Sequence, residues 1–304
     1  MKSSLSGNFQ FIIKSKALIQ TIFLLLFNGF GRKSLELILL NAQNKNYKRL
    51  SKLFRNNETI DLDNESFSTK KHSKIWVCWF QGMNNAPDIV KSCYESQIRL
   101  EGKEVVLIDN ENFKNYTNFP KHIIDKWESG LIPPAHFSDL LRVELLCEHG
   151  GIWLDATIYC SEKYLPKYLE ESWFFCFQKL KPGSQGSSLL VSSWALSSVK
   201  NNPILTLLRS VLYEYWERKN NLADYFMFHH LLSFILQCNP ALKNHIKPSC
   251  NSIPQILLTK LNEEFDSEMF EHITSLSLIH KTTYRNIDIT RETFARYIID
   301  NYDF

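Results

Sequence analysis

Two short stretches hold the residues best suited to chemistry. In "SDLLR", Ser138, Asp139 and Arg142 stand at i, i+1 and i+4, which places an acid and a base together on one turn of a helix. In "GGIWLDATIY", a single aspartate, Asp155, ends the apolar run Ile152-Trp153-Leu154 that a glycine pair introduces. A short apolar run behind a glycine turn is the pattern of a central strand, and side chains at the carboxyl ends of such strands face the crevice where α/β proteins bind ligands. Each stretch alone has a plain structural explanation: Asp139 and Arg142 as a surface ion pair, Asp155 as a turn or cap residue. Taken together they read as one site, because the helix and the strand that follows it should approach the same crevice.

The elements that must position them can be read from the hydrophobic pattern. "KIWVCWF" reads as a first strand, "PDIVKSCYESQIRLEG" as a helix begun by Pro87 and ended near Gly102, and "EVVLID" as a second strand, a βαβ opening. "PPAHFSDLLRVELLCEHGG" predicts a helix that starts after Pro133 and Pro134 and stops at Gly150-Gly151, delivering the chain into the strand that carries Asp155. "SWFFCFQ" and "SLLVSSWALSS" read as further strands; from Asn202 onward, through "PILTLLRSVLYEYWERK" and "ADYFMFHHLLSFILQ", the pattern is mainly helical. The expectation is an α/β core with helical N- and C-terminal additions, without internal repeats or low-complexity tracts. The polar stretch over 57–74 reads as a linker, and the main domain is expected over 75–304.

Residues 1–56 contain ten Lys or Arg against the single acid Glu36, although the whole chain is nearly balanced at 35 basic and 32 acidic residues. The same segment contains "ALIQTIFLLLFNGFG", shorter than the ~20 apolar residues needed to span a bilayer, and no small-residue cleavage site follows it. An apolar surface flanked by Arg32, Lys33, Lys45, Lys48, Arg49, Lys52 and Arg55 suits a helical hairpin lying on an anionic membrane face. A helical cap packed on the core is the alternative; nucleic-acid binding is not expected, since no nucleic-acid motif accompanies the basic run. Seven widely spaced cysteines with no Cys-x-x-Cys pair indicate neither a disulfide framework nor a structural zinc site, and suit a reducing, cytoplasmic setting.

"SDLLRVELLCEHGGIWLDATIY" resembles the core signature of the bacterial capsular polysaccharide synthesis proteins. These are glycosyltransferases related to the yeast initiation mannosyltransferases and the large clostridial glucosylating toxins. "KIWVCWFQG", "ADYFMFHHLL" and "LIHKTTYR" resemble further blocks in the same order, so the likeness runs from about Ile75 to Arg285. It implies a GT-A-like, Rossmann-like nucleotide-sugar-binding core and transfer of a hexose, with retention of configuration, to a lipid-linked surface polysaccharide intermediate. By the same resemblance Asp155 is the first aspartate of an Asp-x-Asp motif, and Asp139 and Arg142, with Ser138 beside them, position the donor sugar. Trp79 lies near the nucleotide base or in the core, and Gln81 and Gly82 end the first strand. Asp224 sits near a sugar or merely caps a helix.

This chain departs from the pattern at Leu154-Asp155-Ala156-Thr157, where Thr157 replaces the second aspartate. Sugar transfer must neutralise a departing nucleoside diphosphate, with a divalent cation or with basic side chains. Manganese or magnesium held by Asp155 and His280 is one expectation; positive charge supplied by Lys281 or Arg285 is the other. A membrane-associated sugar-nucleotide-binding component without turnover is the alternative from a different class.

Overall fold

The computed structural model describes residues 5–53, 60, 67, 71–178 and 191–301, and the side chains of all of these except 5–8 and 10. Three helices come first: α1 (Leu5–Lys14), α2 (Leu18–Asn28) and α3 (Arg32–Leu53). The α/β body opens with β1 (Lys74–Cys78), α4 (Asp88–Ile98) and β2 (Glu104–Ile108), followed by α5 (Lys121–Glu128), α6 (Pro134–His149), β3 (Gly151–Leu154) and β4 (Ile158–Cys160). After α7 (Lys167–Glu170) come β5 (Phe174–Gln178) and β6 (Val191–Ser198), then α8 (Pro203–Arg218), α9 (Met227–Cys238) and α10 (Pro240–Lys243). The C-terminal part adds α11 (Ile256–Lys260), α12 (Ser267–Leu276), β7 (Ile279–Lys281) and α13 (Phe294–Asp300).

A five-stranded sheet runs in the order β2-β1-β3-β6-β5, so the strand that ends at Asp155 is the central one. β1 pairs parallel with both β2 and β3, while β6 runs antiparallel to β3 and β5. The period-2 alternation of a strand divides the core between the two faces. Trp76, Trp153 and Leu196 pack with α6, α8 and α9 on one face; Ile75, Val77, Ile152 and Leu154 pack with α4, α11 and α13 on the other.

The glycine pair is required by geometry. Gly150 ends α6 at φ 69°, its N–H donating to the Leu146 carbonyl at 3.0 Å, and Gly151 enters β3 at φ 104°. Both φ values lie where side chains are disfavoured, and a Cβ would sit 2.8 Å from the Lys200 nitrogen at Gly150 and 2.7 Å from the Lys74 carbonyl oxygen at Gly151.

Three details were not legible in the hydrophobic pattern. The C-terminal part is mainly helical, as expected, and one short strand interrupts it: β7 pairs antiparallel with β4, with Lys281 opposite Ile158. Three residues are too few for alternation to register in the sequence. Helix α9 begins at Met227, leaving Asp224 in the turn before it. The described residues of the stretch over 57–74 contact the body: the Ile60 N–H donates to Asn239 at 3.0 Å, Phe67 stacks on His245 at 3.6 Å, and Lys74 belongs to β1.

Candidate functional site

Asp155 leaves the sheet at the carboxyl end of β3, its N–H still donating to the Trp194 carbonyl of β6 at 2.9 Å. The turn after it is pinned on two sides. Gln97 of α4 donates to the carbonyls of Asp155 and Ile158 at 3.1 and 2.7 Å, and Thr282 donates through both N–H and hydroxyl to the Thr157 carbonyl at 2.9 Å. The carboxylate therefore projects from a fixed backbone, with 25 % of its side chain exposed.

Both carboxylate oxygens have cationic neighbours. Oδ1 accepts from Trp153 Nε1 at 3.0 Å and lies 3.4 Å from Arg142 Nη2; Oδ2 accepts from Lys281 Nζ at 2.9 Å. Trp153 and Asp155 share a face because they stand two apart along an extended chain. Partial withdrawal from water would raise this carboxyl, yet Lys281 and then Arg142 outweigh that and hold it below its ordinary range. The Lys281 ammonium also donates to Thr157 Oγ1 at 2.6 Å, so it bridges Asp155 and Thr157.

Arg142 is the hub on the other side. One guanidinium nitrogen meets Asp139 Oδ1 at 3.0 Å and donates to the Ser193 carbonyl at 3.0 Å, while the other donates to Ser138 Oγ at 3.2 Å. Its plane lies over the Trp153 ring, 4.9 Å from the centroid. An arginine can serve several acceptors at once because its donors are fixed in a planar fork. Helix α6 supplies Ser138, Asp139 and Arg142 from one face, so the helix and the end of β3 do converge. Asp139, Arg142, Asp155 and Lys281 form an alternating chain of charge with no net excess.

The "HKTTYR" segment closes over this cluster. Tyr284 packs edge-on against Trp79 at 5.3 Å, bringing the loop after β7 onto the end of β1. Arg285 is exposed, its guanidinium donating to the Tyr284 hydroxyl at 3.3 and 3.4 Å rather than to a carboxylate. Gln81 is exposed, and Gly82 turns the chain beyond Trp79 at φ 75°.

Two candidates are placed elsewhere. Asp224 has a fully buried side chain committed to structure: Oδ2 accepts from Asn46 of α3 at 2.6 Å and lies 3.4 Å from His230, and Oδ1 accepts the Phe226 N–H at 2.7 Å. It joins the N-terminal helices to α9 and caps a turn, so both carboxylate oxygens have partners within the fold. His280 is buried with Nε2 3.2 Å from Ser161 Oγ, and burial pushes its pKa down to about 4. Neighbouring Lys281 points to the Asp155 side of the strand, and alternation turns His280 away from it.

A divalent cation fits this donor set poorly. Among the described residues no group of three or more His, Cys, Asp or Glu could hold a metal ion. Thr157 beside Asp155 offers a neutral hydroxyl, and the Lys281 ammonium already faces Oδ2 of Asp155.

Residues without a legible sequence signal complete the surroundings. His229 of α9 is pushed down to about 4 by burial, and the charges of Asp139, Arg142 and Asp155 act on it. Tyr225, 59 % exposed, has its phenol raised by partial burial and then by the negative charge of Asp139. Nothing in the spacing of "ADYFMFHHLL" separates His229 from His230.

The comparisons with known proteins concern the chain as a whole. Residues 30–298 match the family described as capsular polysaccharide synthesis protein. An uncharacterized glycosyltransferase of Acanthamoeba polyphaga mimivirus is 29 % identical over 110 residues, 35 % of this chain and 43 % of that protein. An O-glycosyltransferase of Annulohypoxylon truncatum is 22 % identical over 197 residues, 57 % of this chain and 45 % of that protein. The chain thus spans under half the length of these curated relatives. Among solved structures the PaToxG glycosyltransferase aligns over 68 % of this chain and 82 % of its own at 14 % identity, with a TM-score of 0.43, too loose a likeness to carry weight. The family match, by contrast, runs from the turn before α3 into α13 and takes in every element that supplies the charged cluster; the chain belongs to the capsular polysaccharide synthesis protein family.

Proposed function

We propose that this chain is a glycosyltransferase that moves a hexose, with retention of configuration, from a nucleotide-sugar donor to a lipid-linked capsular or surface polysaccharide intermediate. The observation that carries this reading is the Asp139-Arg142-Asp155-Lys281 chain at the carboxyl end of the central strand, beside the aromatic pair Trp79 and Tyr284. A scaffold has no physical need for four buried or half-buried charges at a ligand-binding edge, where each costs desolvation. Asp139 and Ser138 offer acceptors and a hydroxyl for sugar hydroxyl groups. Trp79 and Tyr284 offer apolar faces for a base, and the cationic side chains face developing negative charge on the leaving diphosphate. In such a site the carboxylates bind and polarise the donor rather than attack it.

The acceptor reading draws support from α2. Ile19, Ile22, Phe23, Leu26 and Phe27 follow helical i, i+3, i+4, i+7 spacing and are 52–84 % exposed, and Phe30, in the turn after the helix, is 92 % exposed. Lys14, Lys16, Arg32 and Lys33 stand at either end of this stripe. An exposed apolar stripe with basic flanks suits the surface of an anionic bilayer, where a lipid-linked acceptor would be met. No described helix is long and apolar enough to cross a membrane. All seven cysteines are free, which suits work at the inner face of the cell membrane.

Thr157 at the second acid position favours the second reading, a sugar-nucleotide-binding component without turnover. A panel of UDP- and GDP-hexoses, incubated with the wild type and with Asp155→Asn and assayed for release of nucleoside diphosphate, separates the two. Release by the wild type that falls at least about a hundredfold in the variant supports the transferase. Binding of a nucleotide sugar without release under any condition supports the binding component instead.

A further inference from the structure

We infer that Lys281 takes the place of the divalent cation, so that the donor diphosphate is neutralised by a side chain and donor binding needs no metal. This rests on the donor-binding reading above and adds the identity of the neutralising charge.

Four observations lead to it. The Lys281 ammonium bridges Asp155 Oδ2 at 2.9 Å and Thr157 Oγ1 at 2.6 Å, the position a cation shared by two acids would take. The charges match in number: an Asp-x-Asp pair presents two negative charges and calls for a divalent ion, whereas Asp155 with the neutral hydroxyl of Thr157 presents one and is balanced by one ammonium. The arrangement is rigid, because Lys281 lies in β7 paired to Ile158, and Thr282 ties the next residue to the Thr157 carbonyl at 2.9 Å. The other oxygen of Asp155 faces Arg142 at 3.4 Å and Trp153 at 3.0 Å, so an incoming metal would have to displace one cation and approach a second.

The ammonium keeps capacity for a ligand. It has three N–H donors, two of which are spent on Asp155 and Thr157, and 20 % of the side chain remains exposed. The third can donate to a phosphate oxygen as a charge-assisted hydrogen bond. Arg285, four residues on and exposed, adds a second cation at the rim of the same segment.

The test is calorimetric titration of the intact chain with UDP and GDP, once in EDTA and once in manganese chloride, for the wild type, Lys281→Gln and Lys281→Arg. Circular dichroism and thermal melting check that each variant is folded. The expected result is a wild-type affinity for one of the two nucleotides that agrees within about twofold between the two buffers. Loss of one charge-assisted contact should weaken Lys281→Gln by about tenfold or more in both, with Lys281→Arg retaining most of the binding. Wild-type binding that disappears in EDTA, with Lys281→Gln unaffected in manganese, overturns the inference and leaves the donor reading standing. No binding of either nucleotide in either buffer overturns both.

Discussion

Arg142 is the residue on which the charge balance of the site depends. It stands between two carboxylates with its side chain 6 % exposed, so its removal leaves Asp139 buried without its ion pair. Breaking a buried pair from one side costs about 3–5 kcal/mol, and Arg142→Gln should lose stability of that order in urea unfolding. Arg142→Lys should recover only part of it, because one ammonium cannot reach Asp139, Ser138, Asp155 and the Ser193 carbonyl together. At this scale the sequence was legible where chemistry and spacing coincide: Ser138, Asp139 and Arg142 share a helical face, and Asp155 follows an apolar strand. The role of Lys281 was left open beside Arg285 and the metal, because only the β4–β7 pairing brings residue 281 to residue 155. Gln97 and His229 were missed for the same reason: their approach depends on tertiary packing, and an isolated polar residue on an otherwise ordinary helix gives no pattern.

Among the elements, the α6–β3 joint and α2 make contrasting demands. Gly150 and Gly151 were readable as a helix stop, but not the closeness of the neighbouring backbone, which exists only once β1 and β6 flank β3. Gly151→Ala forces a Cβ to 2.7 Å from the Lys74 carbonyl oxygen in a disfavoured backbone conformation. It should lower stability by about 1–3 kcal/mol, visible as a lower denaturation midpoint with an unchanged slope. Helix α2 packs Leu24 and Leu25 inward and leaves Ile19, Ile22, Phe23, Leu26 and Phe27 exposed, the stripe proposed to meet the bilayer. Replacing Leu26, Phe27 and Phe30 together by serine should abolish sedimentation with vesicles containing phosphatidylserine while leaving nucleotide affinity unchanged. Equal sedimentation of this variant and the wild type would remove α2 from the membrane account.

Across the whole molecule, burial acts on two histidines of the body. His280 is pushed by burial from 6.5 down to about 4. The unfolded chain takes up this proton near the ordinary histidine value and the folded one refuses it until about 4, so the stability it contributes is complete above 6.5 and is lost as the pH falls between those values. One such shift is worth on the order of 3 kcal/mol, and urea unfolding should show that decline, reduced in His280→Gln. His229, also lowered to about 4, adds to it beside the site. Fold class and the order of the main elements could be read ahead because strands and helices of ordinary length repeat their periodicity; β4 and β7, three residues each, could not, and they carry the decisive lysine. Donor phosphates are expected over the carboxyl ends of β1 and β3. The most direct measurement is a crystal structure of the intact chain with the nucleoside diphosphate that binds it. The expected result is a diphosphate within hydrogen-bonding distance of Lys281, with the base beside Trp79 and Tyr284. A nucleotide seated elsewhere, such as the cavity of about 480 Å³ lined by Met83, Asn84, Asp88 and Lys91, with Lys281 untouched, would contradict it.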